Sequence, residues 1–185
     1  MKYVKYKPDV MNKVIEWLGD VKIDTILDIG AGIANDSKHL QNIYGSEIWI
    51  LEGDSKNNSQ KLDTARKAKW NNSADEMKYY WDLEVLDSVH QRKHTEKYKI
   101  IDCDNINIPK GVTFDLISSY LSCGFHYPIS TYYNVIKDYS HTNTRYIFDI
   151  RLGKGQQPVL DPEVEIIKVI HETKKYARCE IMFNF

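Results

Sequence analysis

The residues best placed to do chemistry lie where an apolar run breaks into glycines, at Thr25-Ile-Leu-Asp28-Ile-Gly30-Ala31-Gly32-Ile-Ala34. Two glycines between a strand-like run and a helix-like run let a ligand approach the backbone where a side chain would intrude. The N-terminus of the following helix offers free N–H groups and partial positive charge to an anion. A dinucleotide fingerprint would place a third glycine at position 35, where it lets the helix pack close to a pyrophosphate. That position holds Asn35, which argues for a ligand without a pyrophosphate.

S-adenosylmethionine fits such a turn, being an adenosine joined to a small amino-acid carboxylate. Glu52 stands 22 positions beyond Gly30, and an acid roughly 20 residues past the glycines can accept both ribose hydroxyls. Asp54 competes for that role. A second cluster follows a later apolar run: Tyr120-Leu-Ser-Cys123-Gly124-Phe-His126-Tyr127-Pro128. His126 is the candidate base, because an unperturbed imidazole titrates near pH 6.5. Tyr120 and Tyr127 are candidates to orient an acceptor. Cys123 has no neighbour in sequence that would activate it as a nucleophile.

These residues need a scaffold, and hydrophobic periodicity supplies one. Pro8 to Leu18 reads as an amphipathic helix, Ile23 to Ile29 as a buried strand and Ala34 to Tyr44 as a helix stopped by Gly45. Glu47 to Leu51, Tyr98 to Asp102, Phe114 to Ser119 and Arg145 to Ile150 read as strands, with a helix over 130–139. The long stretch 55–97 reads as two helices, over 57–69 and 74–91, the second opened by a capping box at Ser73-Ala-Asp-Glu76. Its length makes it a candidate lid, with Trp70, Asn71, Tyr79 and Tyr80 as contacts. Val164 to His171 and Tyr176 to Phe183 read as an antiparallel hairpin. Strands alternating with helices imply a parallel sheet covered on both faces. Ligands then bind beyond the carboxyl ends of the strands.

Composition excludes several classes. A chain of 185 residues with 42% hydrophobic residues suits one globular domain over 1–185. Its net charge of −1 gives no global field for nucleic acid. No run approaches the roughly 18 apolar residues of a membrane span, and three scattered cysteines give neither a disulfide framework nor a zinc pattern. The expected setting is cytoplasmic. No metal is expected: His90 and His94 share helical spacing but read as a charged, solvated face. Lys61, Arg66, Lys67 and Lys69 read likewise. Asp149 and Arg151, at the end of the fifth strand, read as an ion pair or as substrate contacts.

Asp28-Ile-Gly30-Ala31-Gly32-Ile-Ala34 resembles the first motif of the class I S-adenosylmethionine-dependent methyltransferases, an acid followed by spaced glycines. The family's frequent third glycine falls at Ala34. The resemblance spans roughly residues 8 to 185. It implies an α/β fold with a doubly wound, mostly parallel seven-stranded sheet and a C-terminal antiparallel hairpin. It also implies that Asp28, Gly30, Ala31 and Gly32 line the methionine end of the cofactor and that Glu52 binds the ribose. Asp104, with Asn105 beside it, takes the adenine amino group, or Asp102 does if the strand ends earlier. Phe114 to Ser119 resembles the fourth motif, which brings Ser119 to the cofactor.

The expected activity is methyl transfer to a small-molecule hydroxyl or amine, a sugar among the options. At Ser118-Ser-Tyr-Leu the paired prolines of base-methylating relatives are missing, which disfavours nucleic acid as partner. Two alternatives stay open: a cofactor-binding protein without transferase activity, and a nicotinamide-dependent oxidoreductase, which Asn35 and the terminal hairpin disfavour.

Overall fold

A computed structural model describes residues 8–60, 81–93, 95 and 97–185. The elements that position the site are helix α1 (Pro8–Leu18), strand β1 (Thr25–Ile29), helix α2 (Asn35–Tyr44) and strand β2 (Glu47–Glu52). Helix α3 (Leu83–Arg92), strands β3 (Tyr98–Asp102), β4 (Phe114–Ser119) and β5 (Ser122–Tyr127) and helix α4 (Tyr133–Asp138) follow. Strands β6 (Ser140–Arg151), β7 (Val164–Glu172) and β8 (Tyr176–Phe183) close the chain.

Seven strands form one sheet in the order β3-β2-β1-β4-β6-β8-β7. The first five run parallel, and β8 inserts antiparallel between β6 and β7. The reversal of strand order beside β1 creates the crevice where such sheets bind ligands. Ile26, Leu116 and Ile147 face α1 and α2 with Met11, Val14, Leu18 and Leu40. Leu27, Ile29, Ile117, Phe148 and Ile150 face the opposite layer around Ile129, Tyr132 and Ile136. Strands buried on both faces explain their near-continuous apolar runs.

Four expectations are corrected. Strand β5 occupies Ser122–Tyr127, within the cluster for which the sequence predicts no strand. Strand β6 begins at Ser140, five residues before the expected Arg145, because polar Ser140 pairs with Phe114 across a bulge. The expected helix over 130–139 is a 3₁₀ turn, Ile129–Tyr132, followed by α4. Its entry is fixed from outside: the Asp161 carboxylate accepts the Ile129 N–H at 2.7 Å and the Ser130 N–H at 3.2 Å. Helix α3 starts only at Leu83, where Asp82 caps it by accepting the N–H groups of Glu84 and Val85. Trp81 pairs with Asp54 as an isolated bridge, so no helix runs through it. Most of the expected helix over 57–69, the capping box at Ser73, the basic face from Lys61 to Lys69 and the lid contacts Trp70, Asn71, Tyr79 and Tyr80 lie outside the described residues, as does His94.

His90 is not on a solvated face. It is fully buried under α3, its ring 5.1 Å from that of Tyr98 and its Nδ1 3.3 Å from Thr95 Oγ1. Burial first, then Lys93 and Lys38, lowers its pKa from 6.5 to about 4. The unfolded chain therefore takes up a proton below pH 6.5 that the fold refuses until about pH 4, so the stability present above pH 6.5 is lost as pH falls through that window. Unfolding by urea at pH 5.5 should show a loss of about 1 kcal/mol against pH 7.5 from this group. His90→Phe should flatten that slope, and an unchanged slope would exclude His90 as its source.

Candidate functional site

The carboxyl ends of β1, β2 and β4 converge on the glycine turn. Gly30 takes φ +68 and Gly32 φ +54, and the Gly30 N–H donates to the Leu51 carbonyl at 2.7 Å. Ala34, where the resembled family often has glycine, is itself left-handed at φ 48 and caps α2 without a side-chain bond. The preference for glycine there has a backbone cause.

The close approaches to the glycines come from the chain itself. A Cβ on Gly30 would lie 2.7 Å from Ser122 Cβ, nearer still to its Oγ, and 3.1 Å from the Tyr127 hydroxyl. A Cβ on Gly32 would lie 3.2 Å from the Trp81 indole nitrogen. That is the space expected to admit a ligand. In the structure Ser122, Tyr127 and Trp81 use it, so a ligand must share the turn with them. Ala31 packs beside Ala34 and Trp81 in a small apolar cluster.

Glu52 is brought to the turn. Its carboxylate accepts the Gly32 N–H at 2.8 Å and the Gly53 N–H at 3.1 Å. A carboxylate has about four acceptor sites, so two remain for hydroxyl donors. Burial raises its pKa, opposed by those two N–H groups. Asp54 turns away and accepts the Lys56 N–H at 2.9 Å at the start of a 3₁₀ turn, Ser55–Gln60. Asp102 pairs with Glu52 in register, and its Oδ1 accepts the Asp104 N–H at 2.9 Å. That turn presents Asp104 and Asn105 to solvent beyond β3. Ligand atoms of Asp102, Cys103 and Asp104 lie within 4.8 Å of one another, as three successive residues of one turn.

Asp28 lies on the α1/α2 face of the sheet, 1% exposed. Ser37 donates to its Oδ2. Its Oδ1, Ser118 Oγ and Tyr120 Oη are three of the four buried side-chain polar atoms without a partner among the described residues. Asp28 and Ser118 are neighbours across β1 and β4, so two of the orphaned atoms belong to adjacent residues of the sheet. Desolvation raises the Asp28 pKa to about 8, with Asp36 and Glu52 adding to it and Ser37 and Arg178 opposing it. Buried as it is, the Asp28 carboxyl is largely protonated at neutral pH, and one of its oxygens has no partner among the described residues.

Arg178, on β8, is the residue sequence reasoning missed. Its Nε and Nη2 donate to the two oxygens of Asp149 at 2.7 and 2.9 Å, and Nη1 to Asp36 Oδ1 at 3.2 Å. Its guanidinium stands 4.2 Å from the Tyr120 ring centre. The expected Asp149–Arg151 pair is thus replaced by Asp149–Arg178. A charge in the middle of the apolar strand Tyr-Ala-Arg-Cys-Glu-Ile-Met-Phe was the available signal. Asp149 Oδ2 also accepts the Leu121 N–H at 3.0 Å, holding Leu121 at φ 54.

The remaining expected residues separate. Ser119 is buried, donating to the Ile29 carbonyl at 2.7 Å and accepting the Cys123 N–H at 2.8 Å. It ties β4 to β1 beneath the turn, and its proton is committed. Tyr127 reaches the turn, its hydroxyl 2.9 Å from Ser122 Oγ. Tyr120 sits instead over Arg178, and burial raises the pKa of both tyrosines. His126 is exposed and beside Phe125, whose carbonyl accepts from Arg151. Although the residue is exposed, partial desolvation of its imidazole, then Arg151, lowers its pKa, which keeps a neutral acceptor for a proton.

With this geometry in hand, the chain has the fold of the class I methyltransferases. MtNAS structures, one in complex with S-adenosylmethionine and one with MTA and tNA, align at TM-score 0.60 and 14% identity over 95% of this chain. The chain spans only about three-fifths of their length, 62% and 59%. A ribosomal-protein methylase from Lactobacillus delbrueckii subsp. bulgaricus aligns at TM-score 0.57 and 8% identity, over 96% of this chain and 78% of that one. Coclaurine N-methyltransferase bound to N-methylheliamine and SAH aligns at TM-score 0.51 and 12% identity, over 81% of this chain and 39% of that one. No family model matches the sequence, and no curated protein matches it. No helix among the described residues is long and apolar enough to cross a membrane.

Proposed function

We propose that the chain binds S-adenosylmethionine at the Gly30–Ala34 turn and transfers its methyl group to a small-molecule hydroxyl or amine beyond β4. One observation carries the reading: an acid-glycine turn and Glu52 stand together at the carboxyl ends of β1 and β2, on the methyltransferase sheet order. The residues fit the cofactor. Glu52 keeps acceptor sites for the ribose, Asp104 and Asn105 are accessible for the adenine, and the unpartnered Asp28 Oδ1 suits an ammonium. S-adenosylmethionine supplies an activated methyl on a sulfonium that leaves as a neutral thioether, so the chain's task is alignment and proton removal. His126, neutral at pH 7, accepts the proton the acceptor loses. Ser122 and Tyr127 shape the turn on which the sulfonium end rests.

Methyl-labelled cofactor screened across alcohols, phenols, amines and sugars tests the transfer. Label should move to at least one class, and His126→Ala should slow transfer by about 10²-fold or more with cofactor affinity nearly unchanged. An unaffected rate would remove His126 as base, and label moving to no acceptor would favour a binding protein without transferase activity. Trp81 offers a direct readout of occupancy. S-adenosylhomocysteine should change the protein's indole emission, and Trp81→Phe should remove that change. A full signal in Trp81→Phe would place the ligand away from Gly32.

A further inference from the structure

Arg151 ends β6, the parallel strand beside β4, at the carboxyl edge of the sheet. It is half-buried. Its guanidinium carbon stands 5.6 Å from the Phe125 ring centre, and one N–H reaches the Phe125 carbonyl at 3.4 Å. Arg178 is matched by Asp149 and Asp36, and Arg145 by Glu180. Among the described residues no carboxylate lies within ion-pair distance of Arg151. Asp149, two residues earlier, is gripped on both oxygens by Arg178. Glu172 stands opposite Ala177 and points its exposure to solvent. A guanidinium presents five donors in a fixed fork, and most of this one is unspent. Partial burial of an unmatched cation is unfavourable, and an anion offsets it.

The walls beside that fork are aromatic. Tyr176 pairs with Arg151 across β6 and β8. Its ring meets Phe125 edge-on, with centroids 6.0 Å apart at 85°. The His126 ring also meets Phe125 edge-on, centroids 4.8 Å apart. We propose that the methyl acceptor is a carboxylate-bearing molecule with a flat apolar body, its carboxylate on the Arg151 fork and its ring against Phe125 and Tyr176. The inference rests on the methyl-transfer reading for calling this ligand the acceptor. The anion site itself does not depend on it.

The charge count selects a monoanion. Arg151 supplies one positive charge with no carboxylate in ion-pair distance among the described residues, which matches a carboxylate and leaves a phosphate dianion half-compensated. The same cation repels an ammonium, so an amine acceptor would need its own carboxylate. The group that receives the methyl then lies toward His126, which takes its proton.

The probes are 4-hydroxybenzoate and 4-aminobenzoate, their neutral amides, and phenyl phosphate. Binding is followed by ligand-observed NMR and calorimetry, with and without S-adenosylhomocysteine. Variants Arg151→Gln and Arg151→Lys are compared with the parent chain, their melting temperatures serving as controls on folding. A charge-assisted fork should favour each acid over its amide by about tenfold or more. Arg151→Gln should abolish that preference, and Arg151→Lys, which keeps the charge but not the fork, should retain part of it. Three results would overturn the proposal: amides binding as tightly as acids, phenyl phosphate binding more tightly than the carboxylates, or no acid binding at millimolar concentration. An acid preference that persists while S-adenosylhomocysteine fails to bind would keep the anion site and remove the methyl-transfer reading. Cofactor binding without an acid preference would do the reverse.

Discussion

Gly30→Ala should lower the melting temperature by about 5–15 °C and remove measurable cofactor binding. A non-glycine residue at φ +68 is strained by roughly 1–2 kcal/mol. The new methyl group would also overlap Ser122, an overpacking penalty of about 1–3 kcal/mol. For a chain of 185 residues each kcal/mol moves the midpoint by about 2–4 °C. The partner identifies the mechanism. Ser122→Gly in the same chain removes the overlap and leaves the strain, so it should restore part of the lost stability. No recovery in the double variant would mean that Ser122 does not seat on the turn. A larger side chain such as Asp at position 30 meets the same overlap, so it would perturb the fold together with the site.

Arg178→Met should be the most destabilising change on the α1/α2 face, by about 3–5 kcal/mol, because it strands the buried Asp149 carboxylate. Burial already raises the Asp149 pKa, and Arg178 is the main force holding it down. Without Arg178 that pKa rises further. A folded-state pKa raised above the unfolded value gives stability that is present at low pH and lost as pH rises. The variant's deficit against the parent should therefore be larger at pH 7.5 than at pH 5, measured by urea unfolding. Replacing both partners, Arg178→Met with Asp149→Leu, should recover most of the stability, since an apolar pair can match a buried ion pair. It should not recover cofactor affinity. Leu121 N–H would lose its acceptor, and the left-handed turn that carries Ser122 onto Gly30 would no longer be held. A double variant that binds as tightly as the parent would reduce the Arg178–Asp149 pair to packing.

The parallel half of the sheet was legible because its strands are buried on both faces and its punctuation is local. Gly45 in the left-handed region ends α2, and Gly30 ends β1. The terminal hairpin was legible as two short apolar-rich runs on either side of the polar turn Glu172-Thr-Lys-Lys175. What the sequence concealed was set by contacts between distant segments. Ser140 to Thr144 is polar, so nothing local marks it as strand, yet pairing with Phe114 makes it one. Ile129 to Tyr139 has helical spacing, but Asp161 fixes its first turn as 3₁₀.

The same division runs through the site. Residues on the turn and on the next strand, Asp28, Gly30 and Glu52, come together at the carboxyl ends of β1 and β2 because those strands are neighbours in register. Asp149 has its counter-ion on β8, 29 residues away, where no motif points. The reading of Arg151 as Asp149's partner failed for a geometric reason. Both side chains leave the same face of β6, but Arg178 lies directly opposite Asp149 in register and is closer. Without that pair, Arg151 has no carboxylate within ion-pair distance among the described residues and stands beside Phe125. His90 was misread because helical spacing with His94 says nothing about which face α3 turns to β3.

Calorimetric titration of the parent chain with S-adenosylmethionine, S-adenosylhomocysteine and NAD tests the central claim most directly. The account predicts 1:1 binding of both sulfur compounds at sub-millimolar concentration or below, no heat from NAD, and a weakened affinity in Glu52→Gln. Binding of NAD alone, or of neither sulfur compound, would contradict it.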